Sequence, residues 1–401
     1  MKIIVTDGNT RAALAITRAL GQEGNQIIIG STKIPSLAST SRFCAKSLVY
    51  PDPRKESAGF ISTLCKIVKE EKPDVFLPVT DITTLLVVEN KSDLEKYCAI
   101  PFPEYKTVQR AADKYQVMKL AEELGVPIPA TIYLHSPEEL DTGLPSPSSV
   151  LGQPVVVKPA RSRIHTGNSW RSSGVKYAYD DHHLKLILQN RGSGTEYPIL
   201  LQERINGEGV GLFLCMDRGE VVAAFSHRRL REKPPSGGVS VLRESIPVQP
   251  ALREYSERLL KALNWHGIAM VEFKKDEKTG HYRLMEINGR FWGSLQLAID
   301  SGVNFPSMLV KIAKGEIINP VPDYRVGVKT RWFWGDVDVL LSLLFKRKKS
   351  LHLPPDYPGR WRCFLDFMHF REKNLHYEVF NRDDIRPWLF ETYSWFFRNP
   401  S

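Results

Sequence analysis

The chain has 401 residues, of which 42% are hydrophobic and 25% are charged, a balance typical of globular proteins with two or three domains. No apolar run approaches the roughly 18 residues of a transmembrane helix, and the N-terminus predicts a strand and a turn instead of a secretory signal. We therefore expect a cytoplasmic protein. The five cysteines form no CxxC pair, which predicts reduced thiols and no zinc site. They are Cys44, Cys65, Cys98, Cys215 and Cys363.

The formal net charge of +10 makes nucleic-acid binding an alternative that salt-dependent binding would test. Much of the excess lies in residues 227–233 and 346–349, whereas the other basic residues are mixed with acids. A positive field also attracts anionic small molecules. We favour small ligands of that kind over nucleic acid.

Strand and helix patterns alternate through about residues 1–105. Apolar runs predict strands at 3–5, 27–29 and 74–79 and helices at about 12–20 and 60–69. This βαβ alternation predicts a parallel sheet. The first turn lacks the GxGxxG spacing of a dinucleotide site, so we do not predict a nicotinamide cofactor.

The pattern changes beyond this region. We predict a helix at 108–124 and little regular structure at 137–154. An α+β segment follows. It contains predicted strands at 155–158, 176–179, 199–203, 210–216, 221–226, 268–274 and 282–288 and a helix at about 251–263. After residue 320 the chain becomes aromatic, basic and irregular.

The most informative segment is 267–290, with the sequence GIAMVEFKKDEKTGHYRLMEINGR. It predicts a β-hairpin, and a register centred on Thr279 places Glu272 opposite Glu286. Like charges in that arrangement are destabilising, and a divalent cation would offset them. Asn288 projects from the same face, so the three side chains offer the oxygen ligands that Mg²⁺ prefers.

A solvated hairpin face is the alternative, with the acids paired to Lys274 or Arg283. We favour the metal site because apolar residues flank the acids and Asn-Gly-Arg follows them.

Two segments contain groups that suit a phosphorylated ligand. Lys158 ends the apolar run 155–157, and a buried ammonium needs an anion. The small and basic residues of 161–174 could close over phosphates as a mobile loop. A solvent-exposed lysine and an ordinary linker are the alternatives.

A third segment, 199–211, consists of an apolar strand leading to Glu203 and of Glu208 among glycines. Backbone groups at the strand end could pair with an adenine edge, and a carboxylate could bind ribose hydroxyls. A glycine-rich β-turn with a surface glutamate explains the same residues equally well.

One ordered set of residues resembles the ATP-grasp superfamily, in the carboxylate–amine ligase branch related to the carbamoyl phosphate synthase large subunit. The set is Lys114, Lys158, Glu203, Glu208, Glu272, Glu286, Asn288 and Arg290. Its most specific motif is MEINGR at 285–290. The resemblance covers about residues 1–320. It implies an α/β and α+β architecture with a Rossmann-like preceding domain at 1–105, an ATP-grasp domain at 106–320 and a C-terminal extension at 321–401.

The resemblance also implies roles for individual residues. Lys114 and Lys158 would contact ATP phosphates, Glu203 and Ile205 would flank the adenine, and Glu208 would bind ribose. Glu272, Glu286 and Asn288 would hold Mg²⁺, with Mn²⁺ as an alternative, and Arg290 would clamp the transferring phosphoryl group or the substrate carboxylate. Arg204 departs from the family pattern, in which a bulky aromatic or aliphatic residue is more typical.

Residues 226–238 resemble the strand and loop that border the acyl-phosphate site in this branch. Arg231 and the amides of Gly237 and Gly238 could hold a carboxylate or acyl phosphate. A solvated basic strand with a flexible turn is the alternative.

The implied activity is an ATP-dependent, ADP-forming ligation of a small-molecule carboxylate to an amine through an acyl phosphate. A thiol, ammonia or bicarbonate as the second reactant and a non-catalytic ATP-binding module are the alternatives. The sequence offers no Ser-His-Asp or Cys-His arrangement for nucleophilic catalysis.

The segment 337–345 has apolar residues at helical spacing and is followed by Lys346, Arg347, Lys348 and Lys349. A basic amphipathic helix can lie on an anionic membrane surface. The alternative is a helix that packs on the body of the protein. We favour the alternative because Val339 and Leu343 leave little polar face.

Overall fold

The computed structural model describes residues 1–140, 145–190, 198–321, 323–346, 351, 353 and 357–397. The fold is mixed α/β. The strands are β1 Lys2–Val5, β2 Gln26–Ser31, β3 Cys44–Val49, β4 Val75–Leu77, β5 Thr131–Leu134, β6 Val155–Pro159, β7 Arg163–His165, β8 Trp170–Ser172, β9 Lys176–Ala178, β10 Ile199–Gln202, β11 Gly207–Asp217, β12 Glu220–Lys233, β13 Val239–Ile246, β14 Gly267–Asp276, β15 Tyr282–Asn288, β16 Lys329–Arg331 and β17 Leu375–Tyr377. The helices are α1 Arg11–Gln22, α2 Ser57–Glu71, α3 Asp81–Glu89, α4 Lys91–Leu94, α5 Tyr105–Ala112, α6 Lys114–Glu123, α7 Pro147–Leu151, α8 Asp181–Gln189, α9 Pro250–Ala262, α10 Leu295–Ser301, α11 Phe305–Ala313, α12 Phe333–Phe345, α13 Arg360–Phe367 and α14 Arg386–Phe396.

The N-terminal sheet is parallel, as the alternating pattern predicts. Its strand order is β3-β2-β1-β4, and every pairing in it is parallel. The apolar side chains of β1 and β2 are buried, because helices cover a parallel sheet on both faces. The carboxyl ends of β1 and β4 meet at one edge, where the amide of Thr80 donates to the Asp7 carboxylate at 3.0 Å.

Two antiparallel sheets follow. A four-stranded sheet has the order β5-β10-β6-β9 and a small core of its own with α7 and α8. A seven-stranded sheet has the order β15-β14-β11-β12-β13-β16-β17. It is antiparallel throughout except for its last pair, β16 and β17. The predicted strands of the α+β segment are confirmed, and β5 and β13 are additional strands.

The helix predicted at 108–124 is divided in two at Asp113, so the prediction of one continuous helix was wrong. The Asp113 backbone is extended, and its side chain accepts from the amides of Tyr115 and Gln116, which starts α6 as a new helix. Asp113 also pairs with Arg161 at 3.1 Å. Apolar periodicity alone does not reveal a capping aspartate that interrupts it.

Two segments predicted as loops contain regular structure. Residues 137–154 include a 3₁₀ turn at Pro137–Leu140 and helix α7, which Ser146 caps. The segment at 161–174 contains the hairpin β7–β8. The Trp170 indole donates to Ser57 Oγ of α2 at 3.0 Å, so the hairpin lies against the N-terminal part of the protein.

The chain after residue 320 is also more regular than its composition predicts. It adds β16 and β17 to the seven-stranded sheet and supplies α12, α13 and α14. The helical spacing at 337–345 is confirmed by α12, which buries Val339, Leu340 and Leu343. Arg347, Lys348 and Lys349 lie outside the described residues. No helix within the described ranges is long and apolar enough to cross a membrane, and association with a membrane surface stays a hypothesis.

Buried ion pairs fasten the segment after β17 to the rest of the molecule. Arg18 of α1 pairs with Asp384 at 2.9 Å. Glu378 pairs with Arg11 of α1 at 2.8 Å and with Arg243 of β13 at 2.5 Å. Removing one partner of such a pair leaves an uncompensated buried charge, so these contacts hold the segment in place.

Candidate active site

A cleft of about 700 Å³ lies between the two antiparallel sheets. Strand β6 and the end of β10 line one wall, and β14, β15 and β12 line the other. The structure brings eight of the ten predicted site residues to this cleft. They are Lys114, Lys158, Glu203, Ile205, Glu272, Glu286, Asn288 and Arg290.

The acidic pair has the predicted register. Glu272 of β14 lies opposite Glu286 of β15. The register shifts by one residue between Glu272 and Phe273, so the symmetry about Thr279 applies to the acids and not to the outer half of the hairpin. The Asn288 amide donates to Glu286 Oε1 at 3.0 Å, which confirms that the two share a face.

Basic side chains surround the two carboxylates. Lys114 lies 3.1 Å from Glu286, and Arg229 lies 2.5 Å from Glu272. Burial favours a raised pKa for Glu286, but Lys114, Asn288 and Lys158 lower it to about 2. For Glu272, burial raises the pKa, Glu286 adds to the rise, and Arg229 opposes it. Burial therefore disfavours the charge of Glu272 even with Arg229 beside it.

A divalent cation would favour the charged forms of these two opposed carboxylates. In the part of the chain that the structure describes, no three His, Cys, Asp or Glu side chains cluster as a complete metal site. The residues present are two carboxylates and the amide oxygen of Asn288, which are the hard oxygen ligands that Mg²⁺ accepts while phosphate oxygens and water complete its shell. Glu272, Glu286 and Asn288 would hold such an ion.

Lys158 lies at the end of β6, across the cleft from the acids. Its ammonium lies 3.9 Å from the sulfur of Met285. Burial lowers the pKa of Lys158 to about 8, although Glu286 acts in the opposite direction. An anion at this position would favour the charged ammonium, so Lys158 is suited to meet a phosphate.

Glu203 and Ile205 lie at the other end of the cleft. The Glu203 carboxylate accepts from the amide of Ala130 at 2.8 Å, and the Ile205 carbonyl accepts from Lys274 at 3.2 Å. The guanidinium of Arg204, the residue that departs from the family pattern, lies 5.6 Å from the Tyr177 ring. Contact of this end with adenine stays a prediction.

Arg290 connects the cleft to the N-terminal sheet. Its Nε donates to Asp81 at 2.6 Å, and its Nη2 donates to the Asn288 side-chain oxygen at 3.2 Å. Burial would lower the pKa of Arg290, but Asp81 and the two glutamates raise it above its usual value. The guanidinium therefore stays charged beside the acidic pair.

The structure does not place Glu208 in the cleft. Gly209 and Gly211 face the cleft side chains of β12, so alternation along β11 directs Glu208 to the opposite face. There its carboxylate lies 3.5 Å from Arg228. The expected contact of Glu208 with ribose is not supported by this geometry.

Arg231 is likewise turned away from the cleft. It donates to Asp336 of α12 at 2.8 Å, so the structure uses it to hold that helix. Two register shifts between Arg229 and Glu232 change the direction in which the side chains of this part of β12 point. The expected role of Arg231 at an acyl phosphate is therefore not supported, whereas Gly237 and Gly238 do line the cleft.

The family comparison agrees with this cleft. A family model described as ATP-grasp in the biosynthetic pathway with Ter operon matches residues 195–333, which span the seven-stranded sheet from β11 to β16. Residues 195–333 match an ATP-grasp domain.

Two curated relatives extend the similarity. The N-terminal section of the carbamoyl phosphate synthase large chain from Methanopyrus kandleri is 24% identical over 332 residues, which are 77% of this chain and 54% of that protein. The D-aspartate ligase of Enterococcus faecium is 22% identical over 261 residues, 61% of each chain. The chain thus spans about half and about three fifths of the length of these two relatives.

A solved structure shows the same fold. It is the biotin carboxylase domain of the 2-oxoglutarate carboxylase from Hydrogenobacter thermophilus, in complex with MgADP, ADP and bicarbonate. The TM-score is 0.62 at 17% identity, and the match covers 82% of this chain and 73% of that chain. The chain therefore shares the fold of that domain over most of its length.

Several residues that line the cleft were not among the predicted site residues. They are His227, Arg229, Glu232, Arg243 and Lys274. Lys274 could have been found, because it lies two residues from Glu272 and so shares its face. The others depend on which strands are neighbours, which the sequence does not state.

Gly289, between Asn288 and Arg290, gives a prediction about stability. A Cβ at this position would lie 2.2 Å from Cη2 of the buried Trp265. We expect Gly289→Ala to destabilise the protein by about 1–3 kcal/mol through overpacking, measured by denaturant unfolding. Gly59→Ala on α2 is the matched control, where the added Cβ meets atoms no closer than 3.5 Å. Equal unfolding midpoints for the two variants would contradict this packing role.

Proposed function

We propose that this chain is an ADP-forming carboxylate–amine ligase that activates a carboxylate as an acyl phosphate. One observation carries the proposal. The opposed carboxylates of Glu272 and Glu286 lie among Lys114, Lys158 and Arg290 at one end of the cleft. The cationic side chains would compensate the charge of the terminal phosphates of ATP at this end of the cleft. The adenine would lie toward Glu203.

The chain's own residues have separate tasks in this proposal. Lys114 and Lys158 bind phosphate oxygens and compensate their charge. Arg290 stabilises the phosphoryl group as it passes to the substrate carboxylate, since positioning and electrostatics supply most of the catalysis of phosphoryl transfer. A bound Mg²⁺ would neutralise phosphate oxygens. An amine then attacks the acyl phosphate, forms the C–N bond and expels phosphate.

The proposal includes the layout expected from the sequence. Residues 1–105 would be a Rossmann-like preceding domain, 106–320 the ATP-grasp domain and 321–401 a C-terminal extension. The parallel N-terminal sheet supports the first assignment. The names of the two curated relatives, a carbamoyl phosphate synthase and a D-aspartate ligase, support ligase chemistry with carboxylate and amine substrates.

The products distinguish this mechanism from adenylation. The protein is incubated with ATP, Mg²⁺ and pools of amino acids and other carboxylates, and the nucleotides are resolved by chromatography. We expect substrate-dependent ADP and phosphate, and a hydroxamate when hydroxylamine replaces the amine. Substrate-dependent AMP with pyrophosphate would refute the acyl phosphate. ATP binding without turnover across the pools would favour a non-catalytic module.

A further inference from the structure

One row of residues crosses four neighbouring strands on the cleft face of the seven-stranded sheet. Glu286 lies opposite Glu272, Glu272 opposite Gly211, and Gly211 opposite His227. Opposed residues on neighbouring strands are about 5 Å apart. His227 is therefore about 10 Å from the acidic pair, on the same face.

His227 is buried, and the described residues provide no hydrogen-bond partner for its ring. It is 1% exposed, and neither Nδ1 nor Nε2 has a partner among the described residues. Its ring packs edge-on against Phe213 at 4.7 Å, and a Cβ on Gly211 would lie 3.0 Å from Nε2. A histidine that served only packing would leave two polar atoms unsatisfied at a cost in stability.

Two other cleft residues show the same feature. Trp292 is 2% exposed and Arg243 is fully buried, and within the described part of the chain neither the Trp292 indole N–H nor Arg243 Nε has an acceptor. Both side chains line the cleft beside His227. Tryptophan and arginine can only donate, so the ligand group that satisfies them must accept hydrogen bonds.

The local charge makes this acceptor an anion. Arg229 and Arg243 lie opposite each other on β12 and β13, two residues along from His227 and its partner Ser245. Burial lowers the pKa of His227, and these two arginines lower it further. A carboxylate at this position would be attracted by the arginines and could accept from all three side chains.

We propose that the end of the cleft formed by His227, Arg243 and Trp292 binds a carboxylate that a substrate carries in addition to its reacting group. The proposal deepens the ligase function proposed above. The carboxylate belongs either to a dicarboxylic acyl donor or to an amino-acid acceptor. Glu378 is a positioning residue for this subsite, because it pairs with Arg243 at 2.5 Å without lining the cleft.

Binding to the MgADP-loaded protein tests the subsite without requiring turnover. The probes are the straight-chain dicarboxylates from succinate to adipate, each compared calorimetrically with the monocarboxylate of the same length. γ-Aminobutyrate and β-alanine represent the acceptor, and each is compared with the alkylamine that lacks its carboxylate. We expect a dicarboxylate or an amino acid to bind at least about 10-fold more tightly than its comparison compound, the gain expected for a charged hydrogen bond. Preference for dicarboxylates assigns the group to the donor, and preference for amino acids assigns it to the acceptor. Equal binding by the comparison compounds, or no binding by any probe, would overturn the proposal.

A matched pair of tryptophan variants separates binding from folding. Trp292→Phe removes an indole N–H that has no acceptor within the described residues, whereas Trp334→Phe removes one that donates to Thr392 at 2.9 Å away from the cleft. We expect Trp292→Phe to weaken binding of the preferred probe about 10-fold without lowering Tm. Trp334→Phe should lower Tm and leave that affinity unchanged. The reverse pattern would show that Trp292 serves packing only.

The remaining variants locate the subsite and its support. His227→Phe should act as Trp292→Phe does, and His227→Gln, which keeps hydrogen-bonding atoms, should recover part of the affinity. Glu378→Gln should weaken probe binding with the ADP affinity unchanged. Loss of ADP affinity in any of these variants would contradict a separate subsite. Should the wild type form no hydroxamate yet bind a dicarboxylate through these residues, the ligase function would fail and the subsite would stand.

Discussion

Glu286→Gln is expected to lower substrate-dependent ADP formation by about 10³-fold or more while the fold stays intact. Glu286 lies opposite Glu272 and accepts from Asn288, so its charge is central to the acidic pair. The amide keeps the shape of the side chain and removes the charge that a divalent cation and Lys114 need. Initial rates at saturating Mg²⁺, with circular dichroism and thermal unfolding as checks of folding, measure the effect.

The control for this experiment is Glu220→Gln, because Glu220 begins β12 in the same sheet with an exposed side chain. It should keep wild-type activity. Asn288→Ala should behave as Glu286→Gln does. Normal ATP turnover by either site variant at saturating Mg²⁺ would show that the metal assignment is wrong.

Lys158→Met is expected to weaken ATP binding by about 30-fold, which corresponds to the roughly 2 kcal/mol of a charged hydrogen bond. The same change should not destabilise the protein without nucleotide. Burial lowers the pKa of Lys158 to about 8, which means that the surroundings of the free site penalise its charge. Methionine keeps the apolar stem of the side chain and removes that penalty.

Equilibrium binding of ATP and thermal unfolding without ligand give the two measurements. Lys261→Met on α9 is the control, since that side chain is about half exposed and does not line the cleft. Unchanged ATP affinity in Lys158→Met would make Lys158 a bystander. A lower Tm without nucleotide would show that the ammonium stabilises the free fold.

The sequence was sufficient to predict most strands and the residues at the centre of the candidate site. Hairpin symmetry about Thr279 predicted that Glu272 and Glu286 would meet, and alternation placed Asn288 beside them. The helix through Asp113 failed because the capping interaction that divides it is specific to one side chain. A strand or helix can be predicted from a hydrophobic pattern that repeats along a short segment. A single side-chain interaction that ends the element, such as the Asp113 cap, has no repeating pattern and is often missed.

The outer parts of the cleft depended on strand order and on strand irregularities. Arg231 was predicted at the site, whereas Arg229 lines the cleft, because the register shifts in β12 have no sequence signal. Glu208 faces away from the cleft because side chains alternate along β11, and Gly209 and Gly211 are on the cleft face. The pairs Arg290–Asp81 and Arg243–Glu378 join residues 209 and 135 positions apart, and no local pattern predicts such partners.

The contact of Arg290 with Asp81 has a consequence for selectivity. An incoming anion reaches a guanidinium that already has a carboxylate partner, so it must compete with that partner. A single phosphate ion would gain little binding free energy from Arg290, because it must displace the Asp81 carboxylate. A nucleotide would make further contacts along the cleft. In the proposed reaction, Asp81 would thus weaken the hold of Arg290 on free phosphate, which is one of the products.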